Sequence, residues 1–384
     1  MNGRAQPLVI PGVLAESAGG PADEKETAVP PGNSPLTLSP GIGSREAAGR
    51  EQDRRPEVEN SRPLVSVVVS VRGNAGSLPG LLTTLAGQGL GPDEMEAVIV
   101  DNDPPGPLRS VAQAVAAGQR PFPVRVLAEP RPGLSAGRNR GICAARGDFV
   151  AITDPDIVPS ATWLRTLLAA AREESAFAVG GQTTVEYPEG RAFCLPRSLA
   201  ECHGPVEWPA GRVPALWPYW VTGCNLMFER QRALELGLFR TDLGRKGRWL
   251  GDCEDLEFID RARQHGLRIM IEPAALAVHP VGRRETTPWY FIRQGAGHGT
   301  CLARMHQSVA VEPAAIRSAP ADTAGALAAV AAGRRSRDRG AVVTGLRDLA
   351  RIAAYHAELA RLRALQRPLL PTAPMTSQHE GACQ

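Results

Sequence analysis

Two carboxylates stand two residues apart at the point where an apolar segment of the chain ends. Residues 147–153 predict a buried strand, and Asp154 and Asp156 follow it directly. Residues i and i+2 of an extended chain point to the same side, so both carboxylates can converge on one target. Two carboxylates this close are unfavourable unless they are solvated or hold a cation. The spacing therefore predicts a site for a hard divalent cation that is shared with substrate phosphates.

A second acidic cluster, Asp252, Glu254 and Asp255, follows much later in the chain. It opens a predicted helix, so capping by Asp252 and a favourable interaction with the helix dipole are one explanation. A cap, however, does not require three acids in four positions. An ionised carboxylate beside a sugar hydroxyl is a suitable general base, and we expect Asp255, with Glu254 beside it, to be catalytic. Together the two clusters indicate an enzyme that handles a nucleotide diphosphate.

Two further segments carry polar side chains at the places where ligands bind in α/β proteins. Arg138, Asn139 and Arg140 lie in a glycine-rich loop that opens a predicted helix. Backbone N–H groups and guanidinium groups there suit a diphosphate or a base, although simple solvation is the alternative. Asp101 ends another predicted strand and precedes Pro104, which permits either a turn or recognition of a base or ribose.

From Pro63 onward the sequence alternates between strand patterns and helix patterns. The predicted strands are residues 64–71, 97–100, 124–127 and 147–153. Such alternation predicts an α/β fold with a Rossmann-like, mostly parallel sheet flanked by helices. Ligands of these sheets bind beyond the carboxyl ends of the strands, where Arg72, Asp101 and Asp154 fall. This coincidence predicts one common site.

Composition limits the class of protein. The chain has 384 residues, of which 43% are hydrophobic and 22% are charged, as in soluble globular proteins. A net charge of +3 gives no strong field, so we expect no nucleic-acid partner. Seven scattered cysteines indicate a reducing compartment, and we find no stretch of eighteen apolar residues. We expect a cytoplasmic protein, with peripheral contact at the inner face of the membrane as the alternative.

The sequence also suggests how the chain is divided. Residues 1–62 are rich in Pro, Gly, Ala, Ser and Glu and predict a disordered leader. We expect a nucleotide-binding half at 63–182, an acceptor-binding and catalytic half at 183–305, and a helical, low-complexity extension at 306–384. Within the second half, Tyr187, Trp208 and Trp217 either stack on carbohydrate or belong to a partly buried loop. The extension either packs on the catalytic domain or a partner, or lies on an anionic membrane.

Six motifs follow one another along the chain. They are Val98-Ile-Val-Asp101-Asn102, Glu129-Pro-Arg-Pro-Gly-Leu-Ser-Ala-Gly-Arg-Asn-Arg-Gly141, Asp154-Pro-Asp156, Thr222-Gly-Cys-Asn-Leu-Met-Phe228, Gly251-Asp-Cys-Glu-Asp-Leu-Glu257 and Ile271-Glu-Pro-Ala-Ala-Leu-Ala-Val-His279. In this order they resemble one known family, the family 2 glycosyltransferases with the GT-A fold. The resemblance covers about residues 63 to 300.

On the donor side, the resemblance implies that Asp101 accepts a hydrogen bond from the nucleobase. Ser70 and Arg72 would line the base pocket, with the loop of Arg138, Asn139 and Arg140 close to the donor. Asp156 would bind a divalent cation, Mn²⁺ or Mg²⁺, with Asp154 near the ribose or the metal. Many relatives have a third aspartate where this chain has Pro155. Proline removes a carboxylate and a backbone donor, so the division of contacts between the two aspartates stays open.

Two more roles follow from the same resemblance. His279 matches a histidine near the metal or the diphosphate, although an ordinary strand-end histidine is the alternative. Asp255 matches the general base. The implied activity is inverting transfer of a sugar from a nucleotide-diphosphate sugar to a hydroxyl of a carbohydrate, lipid-linked or small-molecule acceptor. A nucleotidyltransferase and a non-catalytic nucleotide-sugar-binding protein are the alternatives; the first lacks a suitable loop after the first strand, since Arg72-Gly-Asn-Ala-Gly76 is a poor match.

Overall fold

A computed structural model gives the structure of most of the chain beyond the predicted leader. The described residues are 62–73, 75–102, 111, 114–115, 120–204, 207–216, 219–306 and 323–365. The predicted leader, apart from its last residue, lies outside them, as do Trp217 and the ends of the predicted C-terminal extension. All structural statements below concern the described residues.

The first half of the sheet is parallel, as the strand–helix alternation predicts. Its strands are β1 (Val65–Val71), β2 (Met95–Asp101), β3 (Val124–Ala128) and β4 (Phe149–Thr153). They lie side by side in the order β3-β2-β1-β4, and every pair is parallel. Both central strands, β1 and β2, are buried along their whole length. Helices cover both faces of such a sheet, which explains the nearly continuous run of valines in β1.

Three helices that are described over their whole length cover this half of the sheet. They are α1 (Leu78–Ala86), α2 (Leu134–Ala144) and α3 (Trp163–Glu173). The apolar faces of α1 and α3 form one core cluster with Val67 and Val69 of β1. Ile142 of α2 belongs to a second cluster with Val68. Since neighbouring residues of a strand point to opposite faces, the two clusters are the two layers of an α/β/α sandwich.

The second half of the sheet is mixed. Its strands are β5 (Val158–Pro159), β6 (Ala178–Glu186), β7 (Val213–Pro214), β8 (Leu226–Glu229) and β9 (Ile269–Pro280). The order continues β4-β8-β6-β9-β5, and β7 pairs with β9. β8 runs antiparallel to β4 and β6, whereas β6 and β9 are parallel.

Three helices accompany these strands: α4 (Arg197–Ala200), α5 (Arg230–Glu235) and α6 (Glu254–Gln264). Short 3₁₀ turns lie at Ala75–Ser77, Glu201–His203 and Arg283–Thr286. α6 begins within the second acidic cluster. Its apolar face carries Phe258, Ile259 and Ala262 into the second core cluster, where Phe258 packs 5.3 Å from Phe228 between ring centroids. Burial of this face fixes the position of the acids in the first turn.

The last described helices are α7 (Pro288–His306), α8 (Thr323–Ser336) and α9 (Arg339–Ala364). α9 packs along α7, and glycines of α7 allow the close approach. A Cβ built on Gly299 would lie 2.1 Å from the carbonyl oxygen of Arg351, and one on Gly295 would lie 2.5 Å from that of Arg347. The C-terminal helix α9 therefore packs closely on α7. No helix in the described part of the chain has the length and apolar character needed to cross a bilayer.

Candidate active site

Three neighbouring strands end at one edge of the sheet and bring the predicted donor residues there. Val71 of β1 pairs with Asp101 of β2, and Asp154 follows the end of β4. Ser70 and Asp101 are both buried at this edge. α2 passes very close to Ser70, because a Cβ on Gly137 would lie 2.1 Å from the Ser70 hydroxyl oxygen. Only glycine permits this approach, which brings the start of α2 to the site.

Asn102 shapes the glycine-rich loop that precedes α2. Its amide nitrogen donates to the carbonyl oxygens of Glu129, at 3.0 Å, and Arg131, at 2.7 Å. Its amide oxygen accepts from the backbone N–H of Gly133 at 2.9 Å. Gly133 has φ +145°, so a side chain would be strained there. The sequence motif contained Asn102, but its role in holding the loop was not predicted.

Arg138 joins the two acidic clusters. Its side chain is 3% exposed; Nη1 lies 2.9 Å from Glu254 Oε1, and Nη2 lies 3.2 Å from Asp154 Oδ1. Burial opposes its charge, but the carboxylates of Asp154 and Glu254 raise the pKa of Arg138 above its ordinary value. Gly223 leaves the required space, since a Cβ there would lie 2.6 Å from Nη1. The guanidinium thus lies buried between Asp154, which was predicted to lie near the ribose or the metal, and Glu254, the neighbour of the predicted base.

Glu254 and Asp255 differ in their surroundings although they are adjacent. Glu254 is buried against Arg138, whereas Asp255 is half-buried. Asp255 Oδ2 accepts from the N–H of Gly223 at 2.7 Å, and its Oδ1 accepts from the N–H of Leu256 at 2.8 Å. Burial, and after it the charge of Asp255, raises the pKa of Glu254 to about 7. Burial also raises the pKa of Asp255, so the pair retains a proton close to neutral pH.

Asp154, Asp156 and His279 interact electrostatically at the edge of the sheet. Burial, followed by the charge of Asp154, raises the pKa of Asp156, and His279 acts in the opposite direction. His279 Nδ1 lies 3.4 Å from the carbonyl oxygen of His203. The two carboxylates, with an imidazole that interacts with Asp156, form a donor set of hard oxygens and a nitrogen. Mg²⁺-like ions need only one or two protein carboxylates when substrate phosphates supply the other ligands, so these residues fit a divalent cation.

A more compact set of potential ligands lies elsewhere among the described residues. Atoms of Asp252, Cys253 and His298 all lie within 4.8 Å of one another. These side chains hydrogen-bond to each other: the Cys253 thiol donates to Asp252 Oδ1 at 3.1 Å, and His298 Nδ1 lies 2.9 Å from Asp252 Oδ2. Gln294 Nε2 donates to the same carboxylate at 3.0 Å. The Asp252 carboxylate is therefore satisfied by protein donors.

The remaining predicted donor residues take different positions. Asn139 uses both ends of its amide on Phe239, donating to its carbonyl at 2.8 Å and accepting from its N–H at 3.0 Å, so it holds two segments together instead of facing a donor. Arg140 is half-buried, and its charge adds to the stronger effect of Arg131 that lowers the pKa of Glu129.

Arg72 is exposed beyond β1, and its guanidinium lies 3.8 Å from where a Cβ on Gly247 would stand. Gly247 belongs to the segment between α5 and α6.

This segment also carries a cation, Arg245, that was not predicted from the sequence. Arg245 Nη2 lies 3.1 Å from the Tyr290 hydroxyl, and its backbone carbonyl accepts from the N–H of Leu134 at the start of α2. The interaction with Tyr290, followed by the charges of Glu285 and Asp154, raises the pKa of Arg245. The glycines of this segment predicted only a loop, and no spacing rule indicated that it reaches the site.

The geometry defines the class of protein. A parallel sheet that continues into a mixed half, with paired aspartates after β4 and a second acidic cluster at the start of α6, is the GT-A arrangement. The fold is similar to that of the mannosyltransferase PcManGT from Pyrobaculum calidifontis, solved in complex with GDP-Man and Mn²⁺. The TM-score is 0.53 at 20% identity, covering 77% of this chain and 87% of that one.

Comparisons of sequence agree with the fold. The family model "Glycosyl transferase family 2" matches residues 66–204. Succinoglycan biosynthesis protein ExoM of Rhizobium meliloti is 27% identical over 285 residues, or 68% of this chain and 86% of that protein. The pre-mycofactocin glycosyltransferase of Mycobacterium tuberculosis is 29% identical over 230 residues, but the match covers only 44% of its length. Residues 66–204 match glycosyltransferase family 2, and this match, together with the relatives and the fold, supports the predicted family, fold and enzyme class.

Proposed function

We propose that this enzyme transfers a sugar from a nucleoside-diphosphate sugar to an acceptor hydroxyl in a single displacement that inverts the anomeric carbon. One observation carries the proposal: Asp255 is oriented by two backbone N–H groups while remaining partly exposed to solvent. A carboxylate that is both fixed and accessible can accept the proton of an acceptor hydroxyl. The attack then comes from the face opposite the leaving group, and no enzyme nucleophile is needed.

Glu254 and Arg138 support this chemistry without taking the proton. Glu254 is held by Arg138, and Arg138 also contacts Asp154 on the donor side. A fixed link between the donor aspartate and the base motif keeps the distance between donor and acceptor sites constant. Such pre-organisation lowers the entropic part of the barrier. The link therefore favours one site shared by the two acidic clusters over two independent sites.

The roles proposed for residues on the donor side rest on the charges at the edge of the sheet. We propose that Asp101 and Ser70 contact the nucleoside, and that Arg72 and Arg245 face the diphosphate. Asp156, with Asp154 and His279, would hold a divalent cation, Mn²⁺ or Mg²⁺. When bound, the cation supplies positive charge that stabilises the departing diphosphate. The solved mannosyltransferase with GDP-Man and Mn²⁺ supports this choice of cofactor and donor class.

The acceptor and the location of the enzyme are proposed at a coarser level. ExoM is named for succinoglycan biosynthesis, which supports a glycan acceptor for this chain, free or lipid-linked. Tyr187 and Trp208 pack against core clusters. This packing favours their assignment to a partly buried loop over stacking on carbohydrate. A cytoplasmic location, with peripheral contact at the inner face of the membrane, stays a prediction.

Replacement of the proposed base tests the mechanism. Asp255→Asn keeps the size and one of the two hydrogen-bond acceptors but removes the proton acceptor, so we expect kcat to fall by about 10²- to 10⁴-fold. Turnover is measured as release of free nucleoside diphosphate from a panel of sugar nucleotides with Mn²⁺ and mixed glycan acceptors. Asp93→Asn, an exposed position, is the matched control and should leave kcat unchanged.

The products separate the competing classes of activity. Release of nucleoside diphosphate with a glycosylated product supports the proposal, and anomeric configuration determined by NMR tests inversion. Release of pyrophosphate would indicate a nucleotidyltransferase. Binding of a sugar nucleotide without any turnover would indicate a binding protein. An Asp255→Asn enzyme with wild-type kcat would reject Asp255 as the base.

A further inference from the structure

α7 presents a polar stripe to the segment that precedes the base. We call residues 242–252, between α5 and α6, the base loop. Tyr290, Gln294 and His298 recur every four residues and so lie on one face of α7. Tyr290 contacts Arg245 of the base loop at 3.1 Å, whereas Gln294 and His298 both contact Asp252, at 3.0 and 2.9 Å. Both parts of the base loop are thus attached to one helix.

α7 also contacts the backbone of the base loop. Arg293 donates to the carbonyl of Arg248, and Arg304 donates to the carbonyl of Asp242. A Cβ built on Gly297 would lie 2.0 Å from the carbonyl oxygen of Leu250. These contacts lie on several turns of one helix, so a movement of α7 relative to α6 would displace the whole base loop.

α9 in turn fixes the polar stripe. Arg347 Nε donates to Gln294 Oε1 at 3.0 Å, and Gln294 Nε2 donates to Asp252 Oδ2 at 3.0 Å. Arginine can only donate and an ionised aspartate can only accept, so the two partners determine the orientation of the amide between them. Gln294 is 8% exposed, which makes loss of either hydrogen bond unfavourable.

We propose that Arg347 of α9 is a positioning residue for glycosyl transfer and acts through Gln294 and Asp252 on Asp255. Asp252 stands three positions before Asp255, and between them Cys253 adopts a left-handed backbone with φ +68°. A fixed Asp252 therefore defines how the chain enters α6 and where the base points. The inference rests on the proposed role of Asp255, and it makes the C-terminal helices part of the catalytic unit.

Substitution of Arg347 tests the proposal on the full-length enzyme. We expect Arg347→Ala to lower kcat by about ten- to a hundredfold, because small misplacement of a catalytic group has effects of this size. The donor KM should stay within about twofold, because Arg347 is not proposed to touch the donor. Arg347→Lys keeps a donor for Gln294 and should recover part of the lost kcat. Arg363→Ala, an exposed arginine on the same helix, is the matched control and should behave as wild type.

Two further measurements distinguish positioning from general loss of structure. Hydrogen–deuterium exchange of peptides over residues 243–253 should increase in Arg347→Ala but not in Arg363→Ala. Gln294→Glu keeps the volume and the contact with Arg347 but places a carboxylate against Asp252, so it should lower kcat even if Arg347→Ala fails to fold. Folded Arg347→Ala or Gln294→Glu enzymes with wild-type kcat and unchanged exchange would overturn the proposal.

Asp255→Asn in the same series separates this inference from the proposed function. If Asp255→Asn remains active, the base assignment fails whatever Arg347 does. If Asp255→Asn is inactive but Arg347→Ala and Gln294→Glu are fully active, the base stands and only the positioning role of α9 fails.

Discussion

Glu254 and Asp255 are adjacent at the start of α6, but their surroundings differ. Glu254 is buried and contacts Arg138, whereas Asp255 is half-buried and accepts two backbone hydrogen bonds. Burial raises the pKa of both groups; the charge of Asp255 adds to the rise for Glu254, and the charge of Asp252 adds to the rise for Asp255. Different environments of neighbouring carboxyl groups commonly separate their roles. We infer that Glu254 regulates the charge around Arg138, while Asp255 is available to the acceptor.

The shared proton of this pair predicts a pH-dependent rate. Because the base must be ionised, kcat/KM should rise with pH through an apparent pKa near the value of about 7 that burial and Asp255 give Glu254. Glu254→Gln removes one of the two charges, so the ionisation of Asp255 should move to lower pH and the acidic limb of the profile with it. The measurement is kcat/KM from about pH 5 to about pH 9 for both enzymes.

Unfolding experiments test independently whether the folded protein binds this proton at the Glu254–Asp255 pair. The folded state binds it more tightly than the unfolded state, so this contribution to stability is fully present below about pH 4.5 and is lost as pH rises through about 7. The contribution should disappear in Glu254→Gln, which urea unfolding across that range measures. A flat rate profile, or one that Glu254→Gln leaves in place, would contradict the assignment.

Spacing predicted the acids but not the side chains that connect them. Asp154 and Asp156 follow a buried strand, and Glu254 and Asp255 open an amphipathic helix, so local patterns were sufficient. Arg138 lies 116 positions from Glu254, and no local pattern states which acid an arginine will contact. Asn139 was predicted to lie near the donor because it stands between Arg138 and Arg140 in an expected glycine-rich loop, but the structure places all three residues inside α2. The two hydrogen bonds of Asn139 to a backbone 100 positions away could only be found in the fold.

At the level of elements, the β-branched runs predicted the first strands because buried parallel strands need apolar side chains on both faces. The mixed order of β6, β8 and β9 was not predictable in this way, since parallel and antiparallel buried strands have the same composition. α7 was also missed. Its glycines at 295, 297 and 299 each disfavour a helix by about 1 kcal/mol. Contact of α7 with α9 and with the base loop offsets this cost.

Replacement of glycine by alanine should have opposite effects on stability at Gly299 of α7 and at Gly80 of α1. Gly299→Ala would place a Cβ 2.1 Å from the carbonyl oxygen of Arg351, and we expect a loss of about 1–3 kcal/mol in the free energy of unfolding. Gly80→Ala is the control, since Gly80 is helical in α1 and has open space around a built Cβ. It should gain about 0.5–1 kcal/mol from the lower entropy of the unfolded chain. Urea unfolding measures both changes.

A stable Gly299→Ala protein would contradict the close packing of α9 on α7. If Gly80→Ala were as destabilising as Gly299→Ala, helix geometry in general, and not contact with α9, would explain the effect. Equal changes at both positions would therefore reject close contact with α9 as the reason for glycine at position 299 of α7.

For the whole molecule, the net charge of +3 conceals a local separation of charges. Arg72, Arg138 and Arg245 lie around the same edge of the sheet as Asp154 and Asp156. A nucleoside diphosphate adds negative charge beside the arginines, and a divalent cation adds positive charge beside the aspartates. Each ligand reduces the unfavourable charge that the other would leave, so we expect the two to bind cooperatively.

Thermal stability of the full chain measures this cooperativity directly. A ligand present at about a hundredfold over its Kd adds about 2.7 kcal/mol to the free energy of unfolding. We expect one nucleoside diphosphate from a panel to raise Tm strongly with Mn²⁺ and weakly without it, and the base of that nucleotide names the donor class. Asp156→Asn should remove the metal-dependent part, whereas Asp93→Asn should keep it. If no nucleotide raises Tm in the presence of metal, the edge of the sheet at Asp154 and Asp156 is not a donor site, because a site that binds both ligands must shift the unfolding equilibrium.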